Sequence, residues 1–484
     1  MPLPENPREW AVKAFSDHRA SQYSLYRQYL EGNHNLEYAT QKFRQAFGRL
    51  FDAFGYNRCA NVVDAHADRL RVAGFGSPDD DVRRQARERG QQVDESATTI
   101  AQAAKDLWER AHMDIHEGQL AVESFGLGDA YLIVQQHPQT GEVQMWPQLA
   151  SEMRVHYDPE QPGVIDLAAK MWQDEDTEQM RLNLYFADRI EKYRTVQKQK
   201  TVPSDWQAFE PYQPDDDTEW PVRLRVNDTV PVFHFGNNAR INSYGTSELR
   251  DIIPLQDALN KALMDQMVAS EFAAAPQRVI LGYDASDPDS QTALENLVTG
   301  INRMLAIPAD QDGNVPSLAE FSAADMTQYD LVAEKWDIRI SRQSKVPVHH
   351  LTQTNLATSG RSLRIAEGPF VEKLRDRQLE RTPVYADAIR YGLRLEGMEV
   401  SASELKVNWE SPASMSEEDM WDIAAAKAAT GMPLRQILKE MGRDPDEIDA
   451  ILKAAREERD AAMIDLGTFE GPTPDNDDED EGVA

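Results

Sequence analysis

Hydrophobic residues recur every three to four positions through most of the first 130 residues, the spacing that places side chains on one face of a helix. After Asp129 they alternate with polar residues in short segments separated by Gly and Pro, as in antiparallel strands. We therefore expect an α+β protein with a helical beginning and a meandering antiparallel sheet. The helices are predicted at 9–30, 57–72 and 99–125. The strands are predicted at 130–134, 143–146, 153–157, 167–172, 181–187 and 230–235, and a late strand at 404–410 is expected to add to the same sheet.

Residues 245–391 carry the most informative pattern of the chain: a long helix, a compact insert, a returning helix, a loop and a third helix. Pro254, whose fixed φ suits a first helical turn, is predicted to open a helix that ends near Ala275. At about 1.5 Å per residue this helix would be roughly 33 Å long. The order is typical of a wall with a constriction rather than of a catalytic pocket. The later parts are predicted as an insert at 276–327, a helix at 328–345, a loop at 346–361 and a helix at 362–391.

The third long helix has two unusual features. The pair Gly368-Pro369 predicts a bend near Glu367, because proline removes a backbone donor and clashes with the preceding turn. Downstream, four arginines make the helix locally basic, and we expect them to face solvent or to pair between subunits. They are Arg375, Arg377, Arg381 and Arg390. Shorter helices are predicted after it at 416–430, 433–441 and 446–463.

Composition limits the function before any motif is considered. With 484 residues, the chain is expected to form about three domains. It has 51 Lys and Arg against 83 Asp and Glu, a net charge of −32, so a basic DNA-reading face is not expected. Six of the seven residues at 475–481 are acids, and this end is expected to be disordered. The single cysteine, Cys59, excludes an internal disulfide, and neither a signal peptide nor a membrane span is expected.

The common enzyme motifs are missing, so we expect neither a catalytic site nor a cofactor. The chain contains no Gly-x-x-x-x-Gly-Lys-Ser/Thr phosphate loop and no Gly-x-Ser-x-Gly nucleophile motif. His112 and His116, four residues apart on a predicted helix, are the best metal candidate, but Met113 stands where a zinc protease has glutamate. Histidines on a helix surface are the simpler interpretation. The acids at 284–289 lack the glycine of a calcium loop, and solvated loop acids explain them better.

The loop at 346–361 concentrates cationic and titratable side chains. His349 and His350 lie within it, and Lys345 and Arg361 flank it. One interpretation is that these groups touch a phosphate backbone weakly. The other is an ordinary surface loop that happens to contain histidines.

Four ordered segments carry a resemblance to a known family. They are Tyr29-Leu-Glu-Gly32, Asn57 to Phe75, Gly245-Thr-Ser-Glu-Leu249 and Ala357 to Arg364. Together they resemble the portal proteins of tailed bacteriophages, of the Gp6-like family found in phages with long non-contractile tails. The resemblance runs from about Trp10 to Met463, and its specificity comes from the ordered set rather than from any one segment.

The resemblance implies a portal-type fold with a helical and antiparallel β wing, a two-helix stem, a small α/β clip, a tunnel loop with a long kinked helix, and a helical crown. It assigns 1–244 to the wing, β-rich from 129, 245–275 and 328–345 to the stem, 276–327 to the clip, 346–361 to the tunnel loop, 362–415 to the long helix with a strand returning to the wing, 416–466 to the crown, and 467–484 to an acidic tail.

The implied function is that of a dodecameric ring at one capsid vertex, a structural channel through which double-stranded DNA is packaged and ejected. The implied partners are the terminase motor, a head–tail adaptor, and the major capsid and scaffolding proteins, with assembly in the host cytoplasm and a final place in the virion. The tunnel-loop residues expected to face DNA are Lys345, His349, His350, Thr352, Gln353, Asn355 and Arg361. The stem residues are Leu255, Leu259, Leu263, Met267, Trp336 and Ile340, and the clip residues for partner docking are Arg278, Tyr283 and Arg303.

The acidic balance has a mechanical meaning in such a channel. Each phosphate that a wall neutralises releases counterions and deepens a trap for sliding DNA, so negative walls with sparse cations reduce friction. Two other classes stay open. One is a different capsid-associated structural protein, which should be shorter and lack the helix–insert–helix–loop–helix order. The other is a metal-dependent enzyme that uses His112 and His116 or an unrecognised carboxylate site.

Overall fold

The computed structural model divides the chain into two compact units. Unit 1 comprises Met1–Leu70 and Asp106–Ala402, and unit 2 comprises Arg71–Lys105 and Ser403–Ala484. The structure describes residues 4–34, 56–76, 96–137, 139–213, 219–274, 279–283, 305–308, 326–352, 360–413, 417–441, 443 and 445–467.

The helix predicted at 9–30 is two helices, α1 (Pro7–Phe15) and α2 (His18–Leu30). The Asp17 carboxylate accepts a hydrogen bond from the backbone N–H of Arg19, which starts a new helix where the periodicity predicts a continuous one. The hydrophobic spacing is unchanged across the break, so the period alone does not reveal it.

Helix α3 (Arg58–Ala67) begins after Asn57, whose side chain accepts from Ala60 N–H. The prediction that this helix reaches residue 72 is wrong, because Val72–Gly76 forms strand β1 of unit 2. Gly74 lies inside that strand.

The helix predicted at 99–125 is also divided, into α4 (Ser96–Arg110) and α5 (Met113–Leu127). His112 separates the two with a left-handed φ of 53°. The second helix ends at Gly128, which caps α5 with φ of 103° and donates its N–H to Ser124 O.

The predicted antiparallel strands are confirmed, but in unit 1 they form two sheets rather than one. One has the strand order β10-β2-β3, and the other has the order β4-β5-β6-β7-β8 with β9 beside β7. Their strands are β2 (Asp129–Gln136), β3 (Val143–Gln148), β4 (Met153–Tyr157), β5 (Ile165–Gln173), β6 (Met180–Tyr185), β7 (Arg189–Thr195), β8 (Phe209–Pro211), β9 (Val222–Arg223) and β10 (Val232–Gly236).

Helix α1 covers one face of the larger sheet. Val12 and Phe15 pack with Leu167 of β5 and with Leu182 and Leu184 of β6 in one buried cluster. Because alternate residues of a strand share a face, β5 and β6 bury one set of side chains against the helix. The N-terminal helix is therefore part of the same core as the strands.

The helix–insert–helix–loop–helix order is confirmed. The elements are α6 (Ile253–Ala274), β11 (Val279–Tyr283), β12 (Leu305–Pro308), α7 (Met326–Ser344), the single turn α8 (Val348–Leu351) and α9 (Gly360–Leu395). Strands β11 and β12 pair in parallel within the insert. Helix α9 continues through Pro369 and Pro383, and the bend near Glu367 stays a prediction.

Unit 2 contains the late strand, β13 (Lys406–Trp409), which pairs antiparallel with β1. The expectation that it joins the earlier sheet is wrong, because alternation predicts a strand without identifying its neighbour. The three shorter helices are confirmed as α10 (Glu417–Ala429), α11 (Leu434–Glu440) and α12 (Pro445–Gly467). Ile437, Leu438 and Ile448 are buried among them. The acidic segment 475–481 lies outside the described residues.

Candidate functional site

Arg58 ties the long helix pair to α3. Its guanidinium makes two bonds to Asp337 of α7, with Nε 2.8 Å from Oδ1 and the second nitrogen 3.1 Å from Oδ2. Its backbone N–H donates to Oε1 of Gln256 on α6 at 2.7 Å. Asp337 and Gln256 are both buried, so one residue of α3 fixes the position of both long helices.

Helices α6 and α7 are antiparallel. Gln256 and Asp337 meet at Arg58, and farther along Gln266 of α6 donates to Oδ1 of Asp330 on α7 at 2.7 Å. Of the six predicted stem residues, Leu259 and Ile340 are buried. The half-buried ones are Leu255, Leu263, Met267 and Trp336.

Helix α7 presents a cationic stripe on the side away from this packing. Lys335, Arg339 and Arg342 are exposed at offsets of four and three, whereas Asp337 and Ile340 are buried. Arg339 stacks over Trp336 at 4.1 Å. Within the part of the chain that the structure describes, none of the three cations has a carboxylate partner. Sequence reasoning missed this stripe, although the spacing in a strongly acidic chain is a signal that could have found it.

The two histidines of the predicted loop at 346–361 turn toward α9. His349 and His350 both lie on the short helix α8, and their rings are 4.3 Å apart. The Nε2 atoms lie 3.3 Å and 3.2 Å from Oε1 of Glu367, a carboxylate that is 9% exposed. Among the described residues, these three form the group whose potential metal-ligand atoms lie within 4.8 Å of one another.

Arg69, just after α3, joins this cluster. Its guanidinium is 3.5 Å from Oε1 of Glu367 and 3.0 Å from Nε2 of His350. Burial lowers the pKa of the His350 imidazole, and the charge of Arg69 lowers it further. The two histidines are thus held by groups of their own chain, while about a quarter of each side chain stays exposed.

The histidines also line a cleft of about 580 Å³. Its other walls are Tyr56, Arg58, Asn61, Leu351 and Thr352. Polar groups dominate this lining, so the cleft suits an ion or water better than an apolar ligand.

The remaining predicted loop residues are placed as follows. Lys345 is exposed directly after α7 with a left-handed φ of 66°, and Thr352 donates its hydroxyl to Val348 O. Arg361 lies in the first turn of α9, and its side chain is outside the described residues. The same is true of two further predicted loop residues, Gln353 and Asn355, which lie outside the described residues. Of the predicted clip residues, Arg278 and Arg303 lie outside the described residues, and Tyr283 ends β11, with its side chain not described.

The arginines of α9 correct a prediction. Arg377 and Arg381 are buried rather than solvated. Arg377 pairs with Glu380, and Arg381 donates to the hydroxyl of Ser124 on α5 at 2.8 Å. The spacing of charged residues along a helix shows which of them share a face. It does not show which other elements pack against that face. The basic rod is therefore largely neutralised within its own subunit.

The segment Gly245-Thr-Ser-Glu-Leu249 is a packing junction. The Gly245 N–H donates to the buried Asp129 carboxylate at 2.6 Å, which also accepts from Tyr23. Glu248 accepts from Lys373 of α9 at 2.6 Å. Burial by itself raises the pKa of Glu248, but the cations around it, Lys373 among them, hold it at about 2. The motif thus holds α9 next to the first residue of β2, Asp129.

The alternative metal candidate lacks its predicted geometry. His112 is the left-handed residue before α5, so His112 and His116 are not spaced along one continuous helix. Burial lowers the pKa of His116.

The sequence of this chain matches the family described as phage portal protein, SPP1 Gp6-like, over residues 12–462. The chain belongs to this family. A comparison with curated proteins found no match. Phage portal proteins are structural components of phage particles. Across the described residues, no helix has the length and apolar character that a membrane crossing requires.

Two solved structures contain chains similar to this portal protein. A chain of "Virion of native gene transfer agent (GTA) particle" is 14% identical with a TM-score of 0.40, and the match covers 78% of this chain and 89% of that one. A chain of "Neck of empty GTA particle computed with C6 symmetry" is 13% identical with a TM-score of 0.43, with coverage of 84% and 94%.

Proposed function

We propose that this portal protein assembles into a closed ring at one capsid vertex and that double-stranded DNA passes through the ring during packaging and ejection. The observation that carries the proposal is the family match, which spans 12–462 and so includes nearly every element of the fold. The ring, with twelve copies, would be a component of the virion assembled in the host cytoplasm.

Different segments of the chain would have different roles in the ring. The antiparallel pair α6 and α7 would stand as the stem that lines the channel, held from outside by Arg58. The insert with β11 and β12 would form the clip that meets the terminase motor and later the head–tail adaptor. The segment from α8 to α9 would narrow the channel, and helices α10 to α12 would form the crown that faces the capsid interior.

Electrostatics favours a channel that holds DNA loosely. A chain with a net charge of −32 repels a polyanion, so DNA would meet mostly repulsive walls. The stripe of Lys335, Arg339 and Arg342 would supply a few phosphate contacts per subunit. Each phosphate neutralised adds about 0.9 to the slope of log affinity against log salt, so a few contacts guide DNA without trapping it.

Particles made with altered portal protein test this function. Lys335, Arg339 and Arg342 would all be changed to Gln, and the DNA content of purified particles would be measured alongside ring formation by electron microscopy. We expect intact rings and several-fold fewer DNA-filled particles, because the stem loses its phosphate contacts.

The matched control changes three exposed cations on other elements to Gln, namely Lys13, Lys198 and Lys453. It removes the same charge, and we expect normal DNA content. Normal DNA content in the stem variant would contradict the placement of this stripe along the DNA path, and absence of rings in the unaltered protein would contradict the portal function itself.

A further inference from the structure

Three metal-ligating side chains converge where α8 meets α9. The Nε2 atoms of His349 and His350 lie 3.3 Å and 3.2 Å from the same oxygen, Oε1 of Glu367. In a tetrahedral zinc site with bonds of about 2.0–2.1 Å, neighbouring ligand atoms are about 3.3 Å apart. Both nitrogen–oxygen distances match that spacing, and all three ligand atoms lie within 4.8 Å of one another, close enough to share a single small cation.

We propose that His349, His350 and Glu367 bind a divalent transition-metal ion of the zinc class. Two neutral imidazole nitrogens and one carboxylate oxygen form a donor set that zinc accepts, with a fourth position left for water. Alkaline-earth ions prefer oxygen ligands and more of them, so Mg²⁺ and Ca²⁺ would bind this site poorly.

The surroundings provide both an entry path and a buried anchor. His349 and His350 line the cleft of about 580 Å³, which gives a hydrated ion access from solvent. Glu367 is on the inner side of the site with 9% of its side chain exposed. This carboxylate is unlike a solvated surface acid, whose charge water already satisfies.

Arg69 supplies the positive charge at Glu367 while the ion is absent. Its guanidinium lies 3.5 Å from Oε1 of Glu367 and 3.0 Å from Nε2 of His350. A neutral Nε2 cannot accept a hydrogen bond from Arg69 and also donate one to Glu367. Metal binding resolves this conflict, because all three ligands then direct lone pairs at one ion. Arg69 and the ion therefore compete for the same two atoms, Oε1 of Glu367 and Nε2 of His350.

The ion would cross-link two elements that are separate in sequence. His349 and His350 belong to α8, and Glu367 lies in the early turns of α9. Bound metal would close the chain between residues 350 and 367 into a loop, which fixes the position of α8 against α9. This property does not depend on ring assembly or on DNA.

The test is metal titration of the purified full chain. Zn²⁺ binding would be followed by calorimetry, and Co²⁺ would be used as a spectroscopic probe of ligand geometry. We expect one ion per chain and an intense visible Co²⁺ spectrum typical of four-coordinate geometry. The changes His349→Ala, His350→Ala and Glu367→Gln should each weaken binding by about 100-fold or more.

Two further variants make the result specific. His18→Ala removes an exposed histidine elsewhere and should leave affinity unchanged. Arg69→Gln removes the competing cation and should strengthen binding several-fold. Equal affinity in the parent and the three ligand variants would overturn the proposal, as would a weak, six-coordinate Co²⁺ spectrum in the parent. The spectrum decides the question even where a single variant fails to fold.

Discussion

Arg58 is the residue whose contacts organise the most structure, since it joins α3 to both long helices. Its partner Asp337 has a side chain that is 6% exposed. Removing one member of such a pair leaves the other charge buried without compensation, which is more damaging than the loss of an exposed pair.

We predict that Asp337→Asn lowers the free energy of unfolding by about 3–5 kcal/mol. The control Asp265→Asn breaks the exposed pair with Lys261 and should change it by about 0.5 kcal/mol or less. Urea unfolding of both variants measures the difference. Equal effects would show that the Arg58 pair does not hold α7 in place.

The buried side chain of His66 makes the stability of the fold depend on pH. The side chain is fully buried on α3 between Phe125 and Phe370, and its Nδ1 bonds Val62 O. Burial, assisted by Lys373, lowers its pKa from 6.5 to about 4. Between these values the unfolded chain binds a proton that the folded chain does not. Stability therefore falls as the pH drops from 6.5 toward 4, and is constant above 6.5 with respect to this group.

We expect His66→Leu to remove this part of the pH dependence, about 3 kcal/mol between pH 7 and pH 4. Urea midpoints of the parent and the variant across this range provide the measurement. His18→Leu, a change at an exposed histidine, should leave the parent profile intact. A His66→Leu profile parallel to the parent would mean that folding does not change the pKa of His66.

His349 and His350 show how far the sequence can predict a site at the scale of residues. Their position in the loop is readily predicted from the interrupted helical period, but their orientation depends on Glu367, which is 18 residues from His349. No local pattern connects the two positions. The stripe at Lys335, Arg339 and Arg342 is the opposite case, because its spacing alone indicates a shared helix face.

For helices and strands, hydrophobic periodicity predicts the type of element better than it predicts the first and last residues or the partner against which the element packs. Strand β7 is not predicted from the sequence, because its buried residues depart from strict alternation. They are Ile190, Tyr193 and Thr195. Helix α9 was predicted from residue 362 and begins at Gly360. Strand β13 was predicted, but its pairing with β1 depends on a partner more than 300 residues away in sequence.

The junction at Gly245 shows how closely elements approach. A Cβ atom at this position would lie 2.0 Å from Gly128 O and 2.5 Å from Asn237 N, both backbone atoms that cannot move independently. The start of β2, the end of β10 and the approach to α6 meet here without space for a side chain.

Gly245→Ala should therefore destabilise unit 1 by several kcal/mol, as expected when a core is overpacked against backbone. Gly368→Ala is the control, because a Cβ there meets nothing within 4 Å apart from its own neighbours in the chain. Alanine gains up to about 1 kcal/mol of helical propensity over glycine, but its Cβ is crowded by the ring of the following Pro369, so this second change should alter stability little. Thermal unfolding of both variants gives the comparison, and similar melting temperatures would contradict the close packing at Gly245.

At the scale of the whole molecule, the acidic charge and the long helix pair acquire a common explanation. A net charge of −32 is unfavourable for a protein that grips DNA, and favourable for one that lets DNA slide. The family match places the chain among phage portal proteins. In the proposed channel, several copies of α6 and α7 would surround an axis.

Negative-stain electron microscopy of the purified full chain tests the central claim most directly. We expect closed rings with an axial opening, in which many subunits are arranged side by side. Class averages that show only compact monomers, or solid particles with no central opening, would contradict it.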